Sequence, residues 1–584
     1  MIRLHGGAGT DLDTVMKIAF LVQGLFEKSD SIGYDCVYEY QRVKNFFPDL
    51  PHDIRIFAER FDTGHYAGVP IEGLMAFHDW CRNNPDGTVI YHYCGAWREM
   101  DEFLVRRPAR SVIRWHNNTS PWFYFSKEAY LVHTIEGFDN IVDIADKPNL
   151  SFWVNSSFTR DQFIALGGQA SRSAVVFPAS RYLEKADEGP AKARVFAPDG
   201  TINMLFVGRV VQHKGHKAII AVARRVHETT GWPVTVRFAG REDDVKEDIA
   251  AFAQTIDGVE TIFCGEVSEA ALEELYRISD VFLCLSEHEG FGLPVFEAMR
   301  CGLPTVVWST TALRELMVDH PFGFHLYDLN MFAAAVVSLR DDKVYRAVLD
   351  AQRHVLATYT AAIVDGQIRD ALSALENLNA HDVYASLPTT LRAMPQLAAA
   401  VAGQMQKALS HPTETKAIER DSGYNLFSRY DIETFRMLFD RADRLRFAPF
   451  ENIGSGGGYR IAARDFRHKG GEVEDGCLSF PWGHYPKGHL IFGPYIELPP
   501  AHYVATFDLS VRMEGGRTIE VDVASVRHGT LARRKITLRK LDASPPSVAF
   551  EAKEAGDTYE FRVKFPQGCN GELTFRGVSL GQGA

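Results

Sequence analysis

Hydrophobic positions in the first two-fifths of the chain come as short unbroken runs: KIAFLV from Lys17, DIRIFAE around Ile54, TVIYHYC from Thr88 and SVIRWHN from Ser111. An unbroken apolar run of that length suits a parallel strand covered on both faces. Helical candidates, CVYEYQRVKNFF and IEGLMAFHDWCR, fall between them, and a long loop through Ser31, Ile32, Gly33 and Tyr34 is expected after the first strand. Strand alternating with helix predicts a doubly wound α/β sheet. A second half of the same kind is expected between Thr201 and Arg340. It opens with MLFVG and continues through VTVRFAG, ETIFCG, the buried run Val281–Leu285 and a last strand Thr305–Trp308.

After Asp341 the period becomes helical, through VYRAVLDAQRHVLATY and GQIRDALSALENL. Residues His381 to Arg444, with Pro388, Pro395 and Pro412, read as a helical connector. GSGGG from Gly454 reads as a flexible break, since it lacks the Lys-Ser/Thr of a phosphate-binding loop. From Gly458 to Val578 the period changes to two. In YVATFDLSV, residues Tyr503, Ala505, Phe507, Leu509 and Val511 share one face, and TIEVDVA and TYEFRVKF alternate likewise. About eight short strands over about 120 residues predict a β-sandwich. The expected architecture is therefore α/β: two Rossmann-like domains, a helical connector and a C-terminal all-β module. The expected bounds are 15–190, 200–345, 346–450 and 455–582.

Composition narrows the class. A chain of 584 residues accommodates three or four domains at ~150 residues each. With 63 basic against 75 acidic residues the net charge is −12, which argues against a nucleic-acid partner. The eight cysteines form no C-x-x-C pair, and several sit inside apolar strands, so buried free thiols are expected. MIRLHGGAGTDLD does not read as a signal peptide, and IAFLVQGLF is too short to span a membrane. These features predict a cytoplasmic protein, and the sequons at Asn117, Asn118 and Asn155 read as chance matches.

The chemistry concentrates between Ser286 and Val307, SEHEGFGLPVFEAMRCGLPTVV, where strand, glycine turn, helix and strand follow one another. Such a turn presents backbone amides and a helix N-terminus to an anion. Glu289 and Glu297 stand eight positions apart around Gly290 and Gly292. Either glutamate alone reads equally well as an ordinary helix-start residue; the string GFGLP has no packing rationale of its own.

The run Glu289-Gly290-Phe291-Gly292-Leu293-Pro294 with Glu297-Ala298 resembles the Glu-x7-Glu signature of retaining GT-B glycosyltransferases of the family 4 group. The resemblance implies that Glu289 and the Phe291-Gly292 backbone hold a donor sugar, with Gly290 and Leu293 beside it, and that Glu297 binds the ribose. It extends to Gly208-Arg209 and Lys214-Gly215, which it assigns to the donor's diphosphate, and to Val267 as a contact for the base. In the first half it covers Gly33, in the family's acceptor-side loop, and His116 in HNNTSP, with Ser120 before Pro121. There the family's histidine hydrogen-bonds the donor sugar; a loop histidine satisfied by the backbone is the competing reading, and the place of His116 at the carboxyl edge of the sheet favours the functional one. WVNSSFTRD resembles a turn facing the interdomain cleft, with Ser156 or Ser157 as a helix cap the equal structural reading. The family also implies a C-terminal helix crossing back onto the first half.

These features lead to the expectation of a hexosyltransferase moving sugar from a nucleotide diphosphate to a hydroxyl of a glycan or lipid-linked acceptor. No metal or other cofactor is expected, since Arg209 and Lys214 supply the charge that would stabilise the leaving group. The alternatives are a GT-B enzyme using a small sugar or sugar phosphate, a nucleotide-sugar epimerase, and a non-catalytic sugar-binding protein. The β-module resembles jelly-roll modules of some bacterial polysaccharide glycosyltransferases. Trp482, His484 and Tyr485 are glycan-stacking candidates there, with packing or self-association the competing reading. Arg106, Arg107 and Arg110 read either as a peripheral membrane contact or as solvated surface, the latter favoured.

Overall fold

The computed structural model describes residues 16–376, 450, 453 and 458–583. Short breaks fall at 27–30, 47, 49–50, 63–64, 67, 120, 125–127, 186–199, 244, 475, 486–487, 515–517, 538–543, 554–556 and 567–569. The expected connector from His381 to Arg444 and the glycine run from Gly454 lie outside the described residues.

The first sheet is parallel. Its spatial order is Glu72–Gly73, His52–Phe61, Met16–Leu25, Thr88–Tyr93, Ser111–Trp115, Leu150–Val154 and Ser173–Val175. The unbroken apolar runs are explained by two-sided burial. In Met16–Leu25, Ile18, Phe20 and Val22 enter one core, while Ala19 and Leu21 enter another on the opposite face. Burying a large apolar side chain contributes roughly 1.5–3 kcal/mol, so a one-residue register slip would forfeit several such terms. The second sheet is also parallel, in the order Val259–Gly265, Val234–Ala239, Ile202–Val207, Val281–Cys284, Thr305–Trp308, Gly323–Phe324.

Each sheet reverses its direction of growth once. In the first the reversal falls between Met16–Leu25 and Thr88–Tyr93, in the second between Ile202–Val207 and Val281–Cys284. In open α/β sheets the crevice at the carboxyl ends of such strands is where ligands bind. The two Rossmann-like sheets thus each direct one crevice toward ligand.

The segment expected to be a loop after the first strand is instead helical: Ser31–Phe46 is one helix, with Gly33 in its first turn. The difference is confined to the first turn, Ser31 to Tyr34, where Gly33 is a poor helix former; the segment from Cys36 is helical as expected. The helix Ala361–Glu376 returns to this first half. Asp365 accepts from Tyr38 Oη at 3.2 Å and pairs with Arg42 Nε at 3.2 Å, and Gln367 Oε1 accepts from Phe177 N at 2.8 Å.

The C-terminal module consists of two six-stranded antiparallel sheets that share one apolar core. Tyr503, Ala505, Phe507, Leu509 and Val511 all face that core. The twelve strands described outnumber the expected eight; two of them, Arg467–His468 and Glu472–Glu474, are too short to show a period. Tyr485 packs edge-on against Phe480 and Phe565, at 5.6 and 5.7 Å between ring centroids, whereas Trp482 is 52% exposed.

The module is docked on the first domain, a contact the sequence did not announce. Arg467 reaches Glu59 Oε1 and Glu99 Oε2, each at 2.6 Å, and Arg527 Nε lies 3.5 Å from Glu102 Oε1. Of the three arginines read as solvated or membrane-facing, Arg106 is exposed as favoured, Arg110 is half-buried and Arg107 is buried. Arg107 is buried and donates to Gly87 O at 2.8 Å, Arg106 pairs with Glu102 at 3.2 Å, and Arg110 donates to Leu375 O. Among the described residues no helix is long and apolar enough to cross a membrane.

Candidate active site

At the crevice of the second sheet, two loops lie side by side. The one after Ile202–Val207 carries Gly208, Arg209 and a short 3-10 turn Gln212–Lys214; the one after Val281–Cys284 carries His288, Glu289 and Gly290. Glu287 N donates to His213 O at 2.8 Å, which ties the loops together. Lys214 Nζ then donates to Glu289 Oε1 at 2.7 Å and to His288 O at 3.4 Å. Glu289 is further fixed by its own N–H, which donates to Thr311 Oγ1 at 3.0 Å. Lys214 and Glu289 are 18% and 12% exposed, so the pair is partly shielded without being sealed from ligand.

Two helices start at this edge without a side-chain cap: His216–Thr230 directly after Gly215, and Leu293–Arg300 after Gly292. The first helix offers its first-turn amides to an acceptor, which suits an anion; in the second Pro294 has no N–H and Val295 N donates to Gly292 O at 3.0 Å, which leaves the Leu293 amide. Gly292 sits at φ +92°, and a Cβ there would meet Leu313 Cδ2 at 2.6 Å, so both backbone and space require glycine.

The first domain meets these loops through the turn after Ser111–Trp115. A Cβ on Gly290 would lie 3.1 Å from His116 O and 3.2 Å from Asn117 Cβ. Asn117 takes φ +71°, a left-handed conformation that asparagine tolerates. Its Nδ2 donates to Thr159 Oγ1 at 2.8 Å and Gln162 Oε1 at 3.0 Å. Ser156 caps the helix Ser157–Ala165 by accepting from Thr159 N, and its hydroxyl donates across the cleft to Gly290 O at 3.1 Å. From the other domain, Glu315 Oε1 accepts from Ser157 N at 2.7 Å and Phe158 N at 3.3 Å. Aromatic contacts close the same seam: Phe123 lies 4.9 Å from the His213 ring, and Phe177 lies 5.1 Å from Phe291.

His116 stands over a buried polar cluster. Its Nε2 lies 3.0 Å from His92 Nδ1, and the two rings are stacked at 5.2 Å. Beneath them Arg114 donates to Glu39 Oε1 (2.7 Å), Asp35 Oδ2 (2.9 Å) and Asn155 Oδ1 (2.8 Å). Burial pushes the Asp35 carboxyl up to about 6 against the pull of Arg114. Burial acts on Glu39 in the same sense, but Arg114 and His92 overcome it and hold that carboxyl below its ordinary value. Burial, reinforced by Arg114, drives His116 well below the usual imidazole range, which keeps it neutral. Asp35, His92 and His116 could each offer a ligand atom to a cation within 4.8 Å of the others. The Arg114 guanidinium and Ala179 N already occupy the two Asp35 oxygens, so that donor set suits a cation poorly.

The structure thus brings Lys214, Glu289, Gly290 and His116 to one place. Arg209 Nη2 lies 3.4 Å from Asp243 Oδ2, and its Nε has no hydrogen-bond partner among the described residues. The Phe291 side chain is buried against Phe177, Phe296 and Tyr359, leaving only its backbone to a ligand. Glu297 accepts from Tyr276 Oη at 3.2 Å, and burial raises its carboxyl despite hydrogen bonds from Ser180 and Tyr276. Leu293 opens the second uncapped helix and Val267 is half-buried just beyond the strand Val259–Gly265. Gly208 adjoins Arg209, its N–H donating to Ala239 O at 2.8 Å. Gly33 lies in the first turn of Ser31–Phe46, not in a loop. Sequence reasoning missed Asp35, Glu39, His92 and Arg114. Their signal was present: a histidine inside TVIYHY, an arginine inside SVIRW, and two acids one helical turn apart.

Residues 189–353 match the family described as Glycosyl transferases group 1. Over 127 residues the chain is 31% identical to an uncharacterized glycosyltransferase, MJ1607, of Methanocaldococcus jannaschii, covering 22% of this chain and 32% of that protein. Over 90 residues it is 32% identical to the O-antigen chain mannosyltransferase B of Escherichia coli, covering 15% and 24%. The match thus spans less than a third of the length of either curated relative. Among solved structures, a sucrose-phosphate synthase from Thermosynechococcus elongatus aligns with a TM-score of 0.49 at 15% identity, covering 62% of this chain and all of that one.

Proposed function

We propose that this protein is a glycosyltransferase that moves a hexosyl unit from a nucleotide diphosphate sugar to a hydroxyl acceptor with retention of configuration. The observation that carries the reading is the meeting of Lys214 and Glu289 with the His116 turn across the cleft, beside two uncapped helix N-termini. A leaving diphosphate gains negative charge as the glycosidic bond breaks. Lys214, Arg209 and the first-turn amides are groups whose attraction grows with that charge. Glu289, with Oε2 left over from the lysine contact, is suited to accept from sugar hydroxyls, and His116 to a further one.

No protein nucleophile enters the scheme. The carboxylates beneath His116, Asp35 and Glu39, are held by Arg114, and Glu289 is engaged by Lys214. In this reading the departing phosphate accepts the proton of the attacking hydroxyl on the same face of the sugar, and the cations do the work a metal ion would otherwise do. Glu297 would grip the ribose and Val267 would flank the base. The acceptor belongs to the first domain's side of the cleft. A glycan or lipid-linked acceptor in surface polysaccharide synthesis accords with the O-antigen relative, and a cytoplasmic location accompanies that reading.

The test is a thermal-shift and hydrolysis screen of the full chain against UDP-, GDP-, ADP- and dTDP-sugars, repeated with Glu289→Ala and Arg209→Ala. Stabilisation by one nucleotide class that both substitutions abolish is expected, and NMR of the released sugar should report the anomer of the donor. No stabilisation by any nucleotide sugar would overturn the proposal.

A further inference from the structure

Two fully buried groups beneath the cleft, Glu39 and His92, have no part in the scheme above. Glu39 Oε1 is taken by Arg114, while Oε2 faces His92 Nε2 at 3.4 Å, and among the described residues neither atom has a hydrogen-bond partner. On the far side of the ring, His92 Nδ1 lies 3.0 Å from His116 Nε2. We propose that Glu39 and His92 are positioning residues that fix the tautomer of His116, so that its Nδ1 is presented as a bare acceptor for a hydroxyl of the bound sugar. The identity of that ligand rests on the transferase reading; the tautomer does not.

Two buried lone-pair atoms 3.4 Å apart repel each other, and a proton on His92 Nε2 converts that repulsion into attraction to the carboxylate. A neutral His92 protonated at Nε2 has only a lone pair at Nδ1. The 3.0 Å contact then requires the proton to sit on His116 Nε2. His116 Nδ1 is consequently unprotonated, and it makes no hydrogen bond to any described residue.

The alternative is a doubly protonated His92, which would donate from Nδ1 and reverse the assignment. In that case the proton of His116 would sit on Nδ1, and the spectra below read the difference. The charged groups facing the two rings are Asp35, Glu39 and Arg114. An acceptor at His116 would discriminate among sugars by the hydroxyl that must donate to it, because an analogue lacking that hydroxyl leaves the nitrogen desolvated and unpaired.

The tautomer can be read directly from long-range ¹H–¹⁵N imidazole spectra of the full chain labelled at histidine, with His116→Ala assigning the signal. Wild-type His116 is expected as the Nε2–H form, and His92→Phe, which keeps a ring in place, should give a mixture of both forms. With the donor identified by the nucleotide-sugar screen, His92→Phe and Glu39→Gln should each raise the donor KM about tenfold, the worth of one hydrogen bond. Affinity for the free nucleoside diphosphate, which lacks the sugar, should stay unchanged; a merely structural defect would weaken both. A proton on His116 Nδ1 in the wild type, or a spectrum indifferent to His92→Phe, would overturn the proposal. The expected tautomer without binding of any nucleotide sugar would overturn the transferase reading and, with it, the sugar as ligand, leaving the relay itself standing.

Discussion

Lys214 Nζ and Glu289 Oε1, which come from loops 75 positions apart in sequence, form a 2.7 Å ion pair at the carboxyl edge of the second sheet. Each is the other's charge partner until an anion arrives, so the pair holds the site in shape while unliganded. Removing one partner strands a charge in a partly dry environment. Lys214→Ala is expected to destabilise the protein by about 1–3 kcal/mol and to abolish nucleotide diphosphate binding. Lys214→Ala with Glu289→Ala should cost less stability than the sum of the two single changes. Urea unfolding of the three variants checks this. Strict additivity would mean that the two side chains do not interact.

Gly290 packs closely against the His116 turn of the first domain. An added methyl would press on the His116 carbonyl at 3.1 Å and the Asn117 Cβ at 3.2 Å. No unusual backbone angle is involved, so Gly290→Ala should leave the melting temperature within a few degrees, equivalent to about 1 kcal/mol. The closed juxtaposition should suffer instead, with a raised donor KM and a larger radius of gyration in small-angle scattering. A melting temperature lowered by much more than a few degrees would show that the contact is a folding constraint.

The sheets were legible because parallel strands covered on both faces leave unbroken apolar runs; Thr305–Trp308 lies where its pattern put it. The helix Ser31–Phe46 begins a turn earlier than its pattern suggests, since Gly33 reads as a turn residue; the burial of Asp35 and Glu39 is hidden in the sequence because only Arg114, brought in by tertiary structure, makes it tolerable. The Glu289 loop was legible since glycines with no packing purpose are conspicuous. His92 was not: a lone histidine in a strand gives no hint that a second ring will stack on it. The docking of the β-module was equally hidden, as Arg467 reads as an ordinary surface charge until Glu59 and Glu99 meet it.

Glu315 acts across the cleft as a borrowed cap. Its Oε1 accepts from Ser157 N and Phe158 N, amides at the start of a helix in the opposite domain. A capping interaction of this kind contributes about 0.5–2 kcal/mol, here spent on holding the domains together. Glu315→Gln should keep part of the contact and Glu315→Ala lose it. Hydrogen exchange of the Ser157 and Phe158 amides is expected to accelerate in the order wild type, Gln, Ala. Unchanged exchange in Glu315→Ala would mean that Ser156 alone protects that turn.

The docked β-module carries a pH dependence of definite sign. Glu99 pairs with Arg467 at 2.6 Å, yet burial dominates that attraction and raises its carboxyl from an ordinary 4.5 to about 7. Burial likewise raises the neighbouring Glu102, which faces Arg527. A raised acid binds its proton more tightly in the folded than in the unfolded chain. Stability from this group is therefore complete below about pH 4.5 and declines as pH rises toward 7, where the folded form must also ionise. Glu99→Gln cannot ionise and should flatten that part of the profile while keeping a neutral hydrogen-bond partner for Arg467. Urea midpoints between pH 5 and pH 8 are expected to fall more steeply for the wild type than for Glu99→Gln. Arg467→Ala should steepen the fall, because it removes the cation that opposes the desolvation of Glu99. Parallel profiles for wild type and Glu99→Gln would show that Glu99 is ionised throughout the range, and that the ion pair, not burial, governs the interface.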